Sequence, residues 1–173
     1  MSPPVICLGA FKNKAKMMRT ATLIATALLL TSSVRPAGLS TRKVLNSATI
    51  KAMVATAEAE AQKRGVHVTI CVVDDSLNLL FLERLDGASL NTIVFAQKKA
   101  RHAAYYRQPS KTAQDSLKNG NTALLAYPDA FPNQGGLPIK VDGDTIGGIG
   151  VSGAASEVDE AIGQAALDSV FRK

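Results

Sequence analysis

The sequence predicts an α+β layered domain whose sheet is largely antiparallel. Segments with helical and strand periodicity follow one another in the order α–ββ–α–α–ββ–α. Each pair of strand-like segments is separated by a short polar turn, which is typical of a hairpin. No helical segment connects two strands as a short crossover, so repeated parallel units are not expected.

The first helix and the first hairpin are defined by their boundary residues. Ser47 is a candidate N-cap, apolar residues follow at helical spacing, and Gly65 ends the helix. Residues 66–73 are rich in β-branched side chains and predict a strand. The polar cluster 74–78 predicts the turn, and residues 79–85 predict the returning strand.

The middle of the chain is predicted to be helical and then irregular. Ser89 is a candidate cap for a second helix that runs to about Tyr106. Pro109 ends that helix, and Ser110 is a candidate cap for a shorter third helix. The segment 127–138 contains prolines and glycines, and long irregular segments of this kind in compact domains are often functional.

A second hairpin and a last helix complete the predicted domain. Residues 139–141 and 145–151 flank a turn with glycine at its centre, and residues 157–170 form an amphipathic helix. Residues 148–153 match the pattern G-x-G-x-x-G, but no strand follows them to complete a dinucleotide site. These glycines are therefore interpreted as positions where another layer packs closely on the strand.

Residues 1–37 are predicted to be a signal peptide and leader, and residues 38–173 a single domain. A basic segment, 12–19, precedes an apolar stretch at 20–30, which is too short to cross a hydrocarbon layer of about 30 Å. Cleavage near Ser33 to Ala37 would give a periplasmic or secreted protein. An uncleaved membrane anchor or an amphipathic targeting peptide is the alternative.

Charge and cysteine content narrow the function classes. The net charge is +6, and five of the positive charges lie in residues 1–37, which leaves +1 for the domain. The domain has no basic stripe, so nucleic acid is not an expected partner. Cys7 would leave with the leader, and Cys71 is predicted to be a buried strand residue. The mature chain therefore contains no disulfide.

Four ordered blocks resemble the GlcG/HbpS-like family, formerly the DUF336 group, which includes the C-terminal domain of PduO-type proteins. Together they extend over most of the predicted domain. The blocks are the hairpin segments 72–74 and 79–81, the L-D-G-A at 85–88, the K-A-R-H-A-A at 99–104 followed by 107–110, and the glycine-rich segment 135–154. His102 stands where many members of the family have threonine, and this departure is expected to change the ligand chemistry.

The resemblance implies a profilin-like α/β/α fold with a mainly antiparallel sheet of about five strands. It also implies a homo-oligomer that binds haem and takes part in redox sensing. Other members are accessory proteins of glycolate or diol metabolism. A membrane sensor or a metabolic enzyme is the protein partner expected for such a chain.

With this resemblance, His102 becomes the candidate axial ligand of haem iron. Lysines near it on the helix are candidates for pairing with propionates, and tyrosines for stacking on the ligand. Arg107 is a candidate carboxylate ligand, and the 127–138 segment is a candidate pocket wall. The full set of candidate haem or ligand residues is His102, Lys98, Lys99, Tyr105, Tyr106, Arg107, Phe131, Gly135 and Gly136.

The leading hypothesis is an exported haem-binding protein. One alternative is an accessory protein or enzyme that acts on small hydroxy or oxo carboxylates, and another is an oligomeric module without a small ligand. The sequence contains no recognisable nucleophile–base pair and no metal cluster with ligand spacing. This pattern argues against ordinary hydrolytic chemistry, so catalysis is not the favoured reading.

Overall fold

The computed structural model describes Gly38 and residues 41–172, and in this part the chain forms one antiparallel sheet. The strands are ordered β2-β1-β4-β3, so the central pair β1 and β4 joins two hairpins. The pairing of β1 with β4 aligns Cys71 with Gly150. The strand bounds are Thr69–Asp74 for β1, Leu79–Arg84 for β2, Gly136–Val141 for β3 and Asp144–Ser152 for β4.

The described sheet has four strands instead of the expected five or so. Each hairpin supplies two strands, and residues 119–135, which precede β3, add none. Pro128 and Pro132 interrupt this segment, and proline has no N–H to donate to a neighbouring strand. The antiparallel arrangement and the element order are confirmed.

The described residues also form four α-helices and one short 3-10 helix. Their bounds are Ser47–Lys63 for α1, Asn91–Tyr106 for α2, Ser110–Lys118 for α3, Thr122–Ala126 for the 3-10 helix and Ser156–Phe171 for α4. The 3-10 helix lies just before the segment 127–138 that was expected to be irregular.

The predicted caps of three helices differ from those observed. The side chain of Asn46, not Ser47, accepts a hydrogen bond from the N–H of Thr49 at the start of α1. Helix α2 begins at Asn91, because the residues after Ser89 first complete a turn. Ser110 is the first residue of α3, and its hydroxyl donates to the carbonyl of Asn133 instead of capping the helix.

The helices cover both faces of the sheet, which gives the expected α/β/α layering. Helices α1 and α4 pack together on one face, over a core that includes Met53, Ile70 and Ile162. Helix α2 lies on the other face, against β1, β4 and β3. Its contact with the sheet is made through small residues, including Ala96 and Ala100.

The glycines of the G-x-G-x-x-G pattern are explained by this second interface. A Cβ atom at Gly148 would overlap the carbonyl oxygen of Ala100, and one at Gly150 would overlap that of Ala96. The backbone of α2 therefore lies almost directly on β4. This confirms the packing interpretation of the pattern.

The remaining sequence predictions concern membrane spans, the leader and the two cysteines. None of the helices within residues 47–171 is long and apolar enough to span a membrane. The leader, its cleavage point and Cys7 lie outside the described residues. Cys71 is buried as predicted, and burial raises the pKa of its thiol to about 12.

Candidate functional site

His102 is a buried polar residue on α2. Its side chain is 2% exposed, and Nδ1 accepts a hydrogen bond of 3.0 Å from the N–H of Phe131. Nε2 is also buried and has no hydrogen-bond partner among the residues that the structure describes. An unpaired polar atom in the interior is costly, so it indicates a place for a ligand group.

Nε2 belongs to a residue that lines a cavity of about 190 Å³. The cavity lies between the end of α2, helix α3 and the segment that contains the 3-10 helix. Its lining combines hydroxyl and amide groups with a few apolar side chains. The lining residues are His102, Tyr106, Gln108, Thr112, Ala113, Ser116, Asn121, Leu124, Tyr127 and Ala130.

Aromatic rings surround the imidazole on the side of the irregular segment. The ring of Tyr106 lies 4.7 Å from that of His102, tilted by 33°, and its hydroxyl donates to the carbonyl of Pro128 at 2.6 Å. Phe131 packs against Phe95, with 5.6 Å between ring centroids. The ammonium of Lys98 lies 5.6 Å from the Phe131 ring. The structure therefore brings Tyr106 and Phe131 into contact with His102, and Lys98 into contact with Phe131.

The surroundings of His102 favour its neutral form. Burial lowers the pKa of His102, while the nearby backbone and the negative charge of Asp129 oppose the decrease. A neutral imidazole is the form that binds metals. It can also donate one hydrogen bond and accept another.

The segment that contacts Nδ1 is tied to α2 by Arg101. The Nε atom of Arg101 donates to Oδ1 of Asp129 at 2.7 Å, and Nη1 donates to the carbonyl of Leu77 at 3.0 Å. Asp129 has a left-handed backbone conformation, with φ of +54°. One guanidinium group thus links the β1–β2 turn to the residues that face His102.

Lys99 does not line the cavity, although it is only three positions from His102 in the sequence. It is 1% exposed, and its ammonium donates to Oδ2 of Asp159 at 2.8 Å and to the carbonyl of Val151 at 3.0 Å. Burial lowers the pKa of Lys99 and raises the pKa of Asp159. The structure places Lys99 in a buried ion pair between α2 and α4, not on the cavity that His102 lines.

The other predicted site residues are also separate from the cavity. The N–H of Gly136 donates to Oγ of Ser110 at 2.9 Å, and the carbonyl of Gly135 accepts from Val151. Tyr105 is exposed on α2, and Arg107 is exposed in a left-handed conformation just after that helix. None of these four is among the residues that line the cavity.

Several lining residues were missed by the sequence analysis. Thr112 and Ser116 are one turn apart on α3 and share a face, which the sequence could have revealed. Asn121 and Leu124 carried no such signal, because their approach to His102 depends on how the chain folds back after α3. Tyr127 and Ala130 lie in the segment 127–138, which was expected to form a pocket wall.

The imidazole of His102 suits haem iron, but the cavity is small for a porphyrin. Nε2 of His102 is a buried nitrogen without a partner among the described residues, and it can bind haem iron once it has given up its proton. A cavity of about 190 Å³ is smaller than the roughly 300–1,000 Å³ of pockets that enclose a small molecule. Within the described residues no group of three or more His, Cys, Asp or Glu could hold a bare metal ion.

Known proteins resemble the chain in both sequence and structure. A family model described as "Haem degrading protein HbpS-like" matches residues 45–168. Protein GlcG of Escherichia coli strain K12 is 38% identical over 112 residues, which are 65% of this chain and 84% of GlcG. An uncharacterised 15.0 kDa protein from the dhaT-dhaS intergenic region of Citrobacter freundii is 33% identical over 70% of this chain and 88% of that protein.

Solved structures share the fold. A double mutant of Streptomyces reticuli HbpS has a TM-score of 0.73 and 28% identity, with 81% of this chain and 96% of that chain covered. A PduOC:heme complex has a TM-score of 0.69 and 25% identity, with 75% of this chain and 96% of that chain covered. The second of these structures is a complex with haem.

Proposed function

The chain belongs to the HbpS-like family of haem-degrading proteins, and from this premise we propose that it binds haem through His102. The observation that carries the proposal is the buried Nε2 atom, which has no partner among the described residues and belongs to a residue that lines the cavity. Haem complexed with a protein of the same fold supports it.

Residues near His102 would serve distinct roles in this proposal. Nε2 would hold the iron, the Tyr106 ring would pack beside the ligand, and the ammonium of Lys98 would pair with a propionate. Bound iron would supply redox chemistry, which is the basis for proposing a haem-linked redox sensor. Because the cavity is small, the wall formed by residues 121–130 has to move outward for a porphyrin to enter.

Haemin titration followed at the Soret band tests the proposal with a matched control. The chain has two histidines, and His67 is exposed just before β1 and does not line this cavity. We expect a saturable spectral shift in the wild type and in His67→Ala. In His102→Ala the affinity should fall by at least about tenfold, the lower end of losses seen when a metal site is perturbed. No saturable shift in the wild type, or equal binding by His102→Ala, would refute the role of His102.

A second candidate is a small hydroxy or oxo carboxylate in the same cavity. Since Nδ1 accepts from Phe131, the proton of the neutral ring lies on Nε2, which then donates into the cavity. A carboxylate oxygen would satisfy this donor without enlarging the cavity. Thermal-shift screening with small 2-hydroxy and 2-oxo acids tests this candidate, and stabilisation that persists in His102→Ala would argue against it.

Export and assembly complete the proposal. The basic and apolar segments at 12–30 support export to the periplasm or the medium, and mass measurement of the mature chain should find a start between residues 34 and 38. Large exposed side chains on α2 and β2 support a homo-oligomer, including Leu79, Val94 and Phe95. Sedimentation of the purified chain as a monomer would contradict the oligomer. A membrane sensor or a metabolic enzyme would be its protein partner.

A further inference from the structure

The direction of one hydrogen bond determines what His102 offers to a ligand. The backbone N–H of Phe131 can only donate, so Nδ1 must be the acceptor in their contact of 3.0 Å. In a neutral imidazole with an accepting Nδ1, the proton is on Nε2. A protonated Nε2 can donate to an oxygen atom, but it has no lone pair for iron.

The Phe131 N–H is held in this place through Arg101 and Asp129. Arg101 directly precedes His102 on α2, so its guanidinium is anchored to the same helical turn. Its bond to Asp129 fixes a residue two positions before Phe131, and its bond to Leu77 restrains the guanidinium from the other side. Asp129 also needs this support because its backbone is left-handed, a conformation that few residues other than glycine adopt without help.

We propose that Arg101 and Asp129 are positioning residues that keep the Phe131 N–H on Nδ1 and so select the His102 tautomer with its proton on Nε2. When the 129–131 segment moves away, Nδ1 can take a proton from solvent while Nε2 gives one up, and the ring charge is unchanged. Nε2 then presents a lone pair. This inference rests on the proposed function, because it states which form of His102 suits an oxygen ligand and which suits iron.

Long-range proton–nitrogen correlation spectra of the ligand-free, histidine-labelled protein test the proposal directly. Such spectra distinguish the two tautomers, and His67 provides an internal reference. The main variant is Asp129→Gly, because glycine adopts the left-handed conformation without strain and removes the carboxylate that accepts from Arg101. Arg101→Ala removes the other partner. Arg64→Ala is the matched control, since it breaks a similar arginine–carboxylate pair with Glu60 on α1.

We expect the wild type to carry the His102 proton on Nε2. Both positioning variants should shift the tautomer ratio towards Nδ1–H by roughly fivefold, as expected for the loss of one ordinary hydrogen bond. The Arg64→Ala spectrum and the His67 signals should not change. A wild-type ring protonated on Nδ1 would overturn the proposal, as would an unchanged ratio in folded Asp129→Gly.

Haemin binding by the same variants separates this inference from the proposed function. If Nε2 binds iron, haemin binds only the tautomer with its proton on Nδ1. Variants that release the segment populate this tautomer more, so they should bind haemin more tightly by a factor similar to the tautomer shift. A tautomer that responds in proteins that do not bind haemin would leave the positioning role intact and refute the haem function. Haemin binding that requires His102 but leaves the tautomer ratio unchanged in every variant would refute the positioning role alone.

Discussion

Replacing Lys99 by methionine should strongly destabilise the fold. The side chains of Lys99 and Asp159 are each 2% exposed, and their charged atoms are 2.8 Å apart. Methionine fills a similar volume but leaves the Asp159 carboxylate buried without its cation. Removing one partner of a buried pair costs about 3–5 kcal/mol. That is a large part of the roughly 5–15 kcal/mol that stabilises a typical domain.

Two further substitutions show whether the uncompensated charge is the cause. Asp159 also accepts a hydrogen bond from the N–H of Ala154 at 2.9 Å, so Asp159→Asn keeps an acceptor there and removes the charge. The double variant Lys99→Met/Asp159→Asn should therefore regain most of the lost stability. Lys98→Met is the matched control, because Lys98 is exposed on the same helix, and it should cost less than about 1 kcal/mol.

The loss in Lys99→Met should also depend on pH. Burial already raises the pKa of Asp159 in the wild type, and removal of the cation raises it further. A carboxyl group with a raised pKa in the folded state takes up protons on folding, so stability is greatest in acid and decreases as the pH rises through that pKa. Urea unfolding followed by circular dichroism should therefore give a smaller loss at pH 5 than at pH 7. A loss no greater than that of Lys98→Met, or one that does not change with pH, would refute the reasoning.

Three further tests concern the packing of α2 on β4, the cap of α1 and the burial of Cys71. Gly150→Ala should lower the free energy of unfolding in urea by about 1–3 kcal/mol. Gly163→Ala should be neutral or stabilising, because the new Cβ would lie 3.4 Å from Leu137 Cδ1. Equal effects of the two substitutions would contradict the close approach of α2 to β4. Asn46→Ala should cost about 1 kcal/mol and Ser47→Ala much less, and the reverse order would contradict the observed cap of α1. Cys71 should resist alkylation at pH 8 until the protein is denatured, because the pKa of its thiol is about 12; rapid modification of the folded protein, located by peptide mapping, would show that this strand opens.

Most of the fold was predictable because it depends on local patterns. The order of helices and strands follows from periodicity and turn residues, and the structure confirms it. The caps were less predictable, since Asn46 and Ser47 are both good capping residues and only the path of the chain selects one. The strand count was wrong because it was taken from the resemblance, not from a segment with strand periodicity.

The candidate site was predictable in part, for a similar reason. Helical spacing placed Tyr106 beside His102, and their rings are in contact, whereas the ammonium of Lys98 lies near the Phe131 ring. The same spacing could not show that Lys98 is exposed and Lys99 is buried. The partner of Lys99 is 60 residues away in α4, and nothing near Lys99 in the sequence indicates that its charge is buried.

The sequence by itself determined the family, the layered α+β architecture and His102 as the residue to examine, because motif blocks and periodicity are properties of short segments. Only the tertiary structure decided which nitrogen of His102 faces the cavity and which residues hold the ring. Those features depend on Phe131 and Asp129, which reach α2 because the chain folds back after α3. Hydrogen-bond direction is a property of atoms in contact, so it became readable only when these distant segments had been brought together.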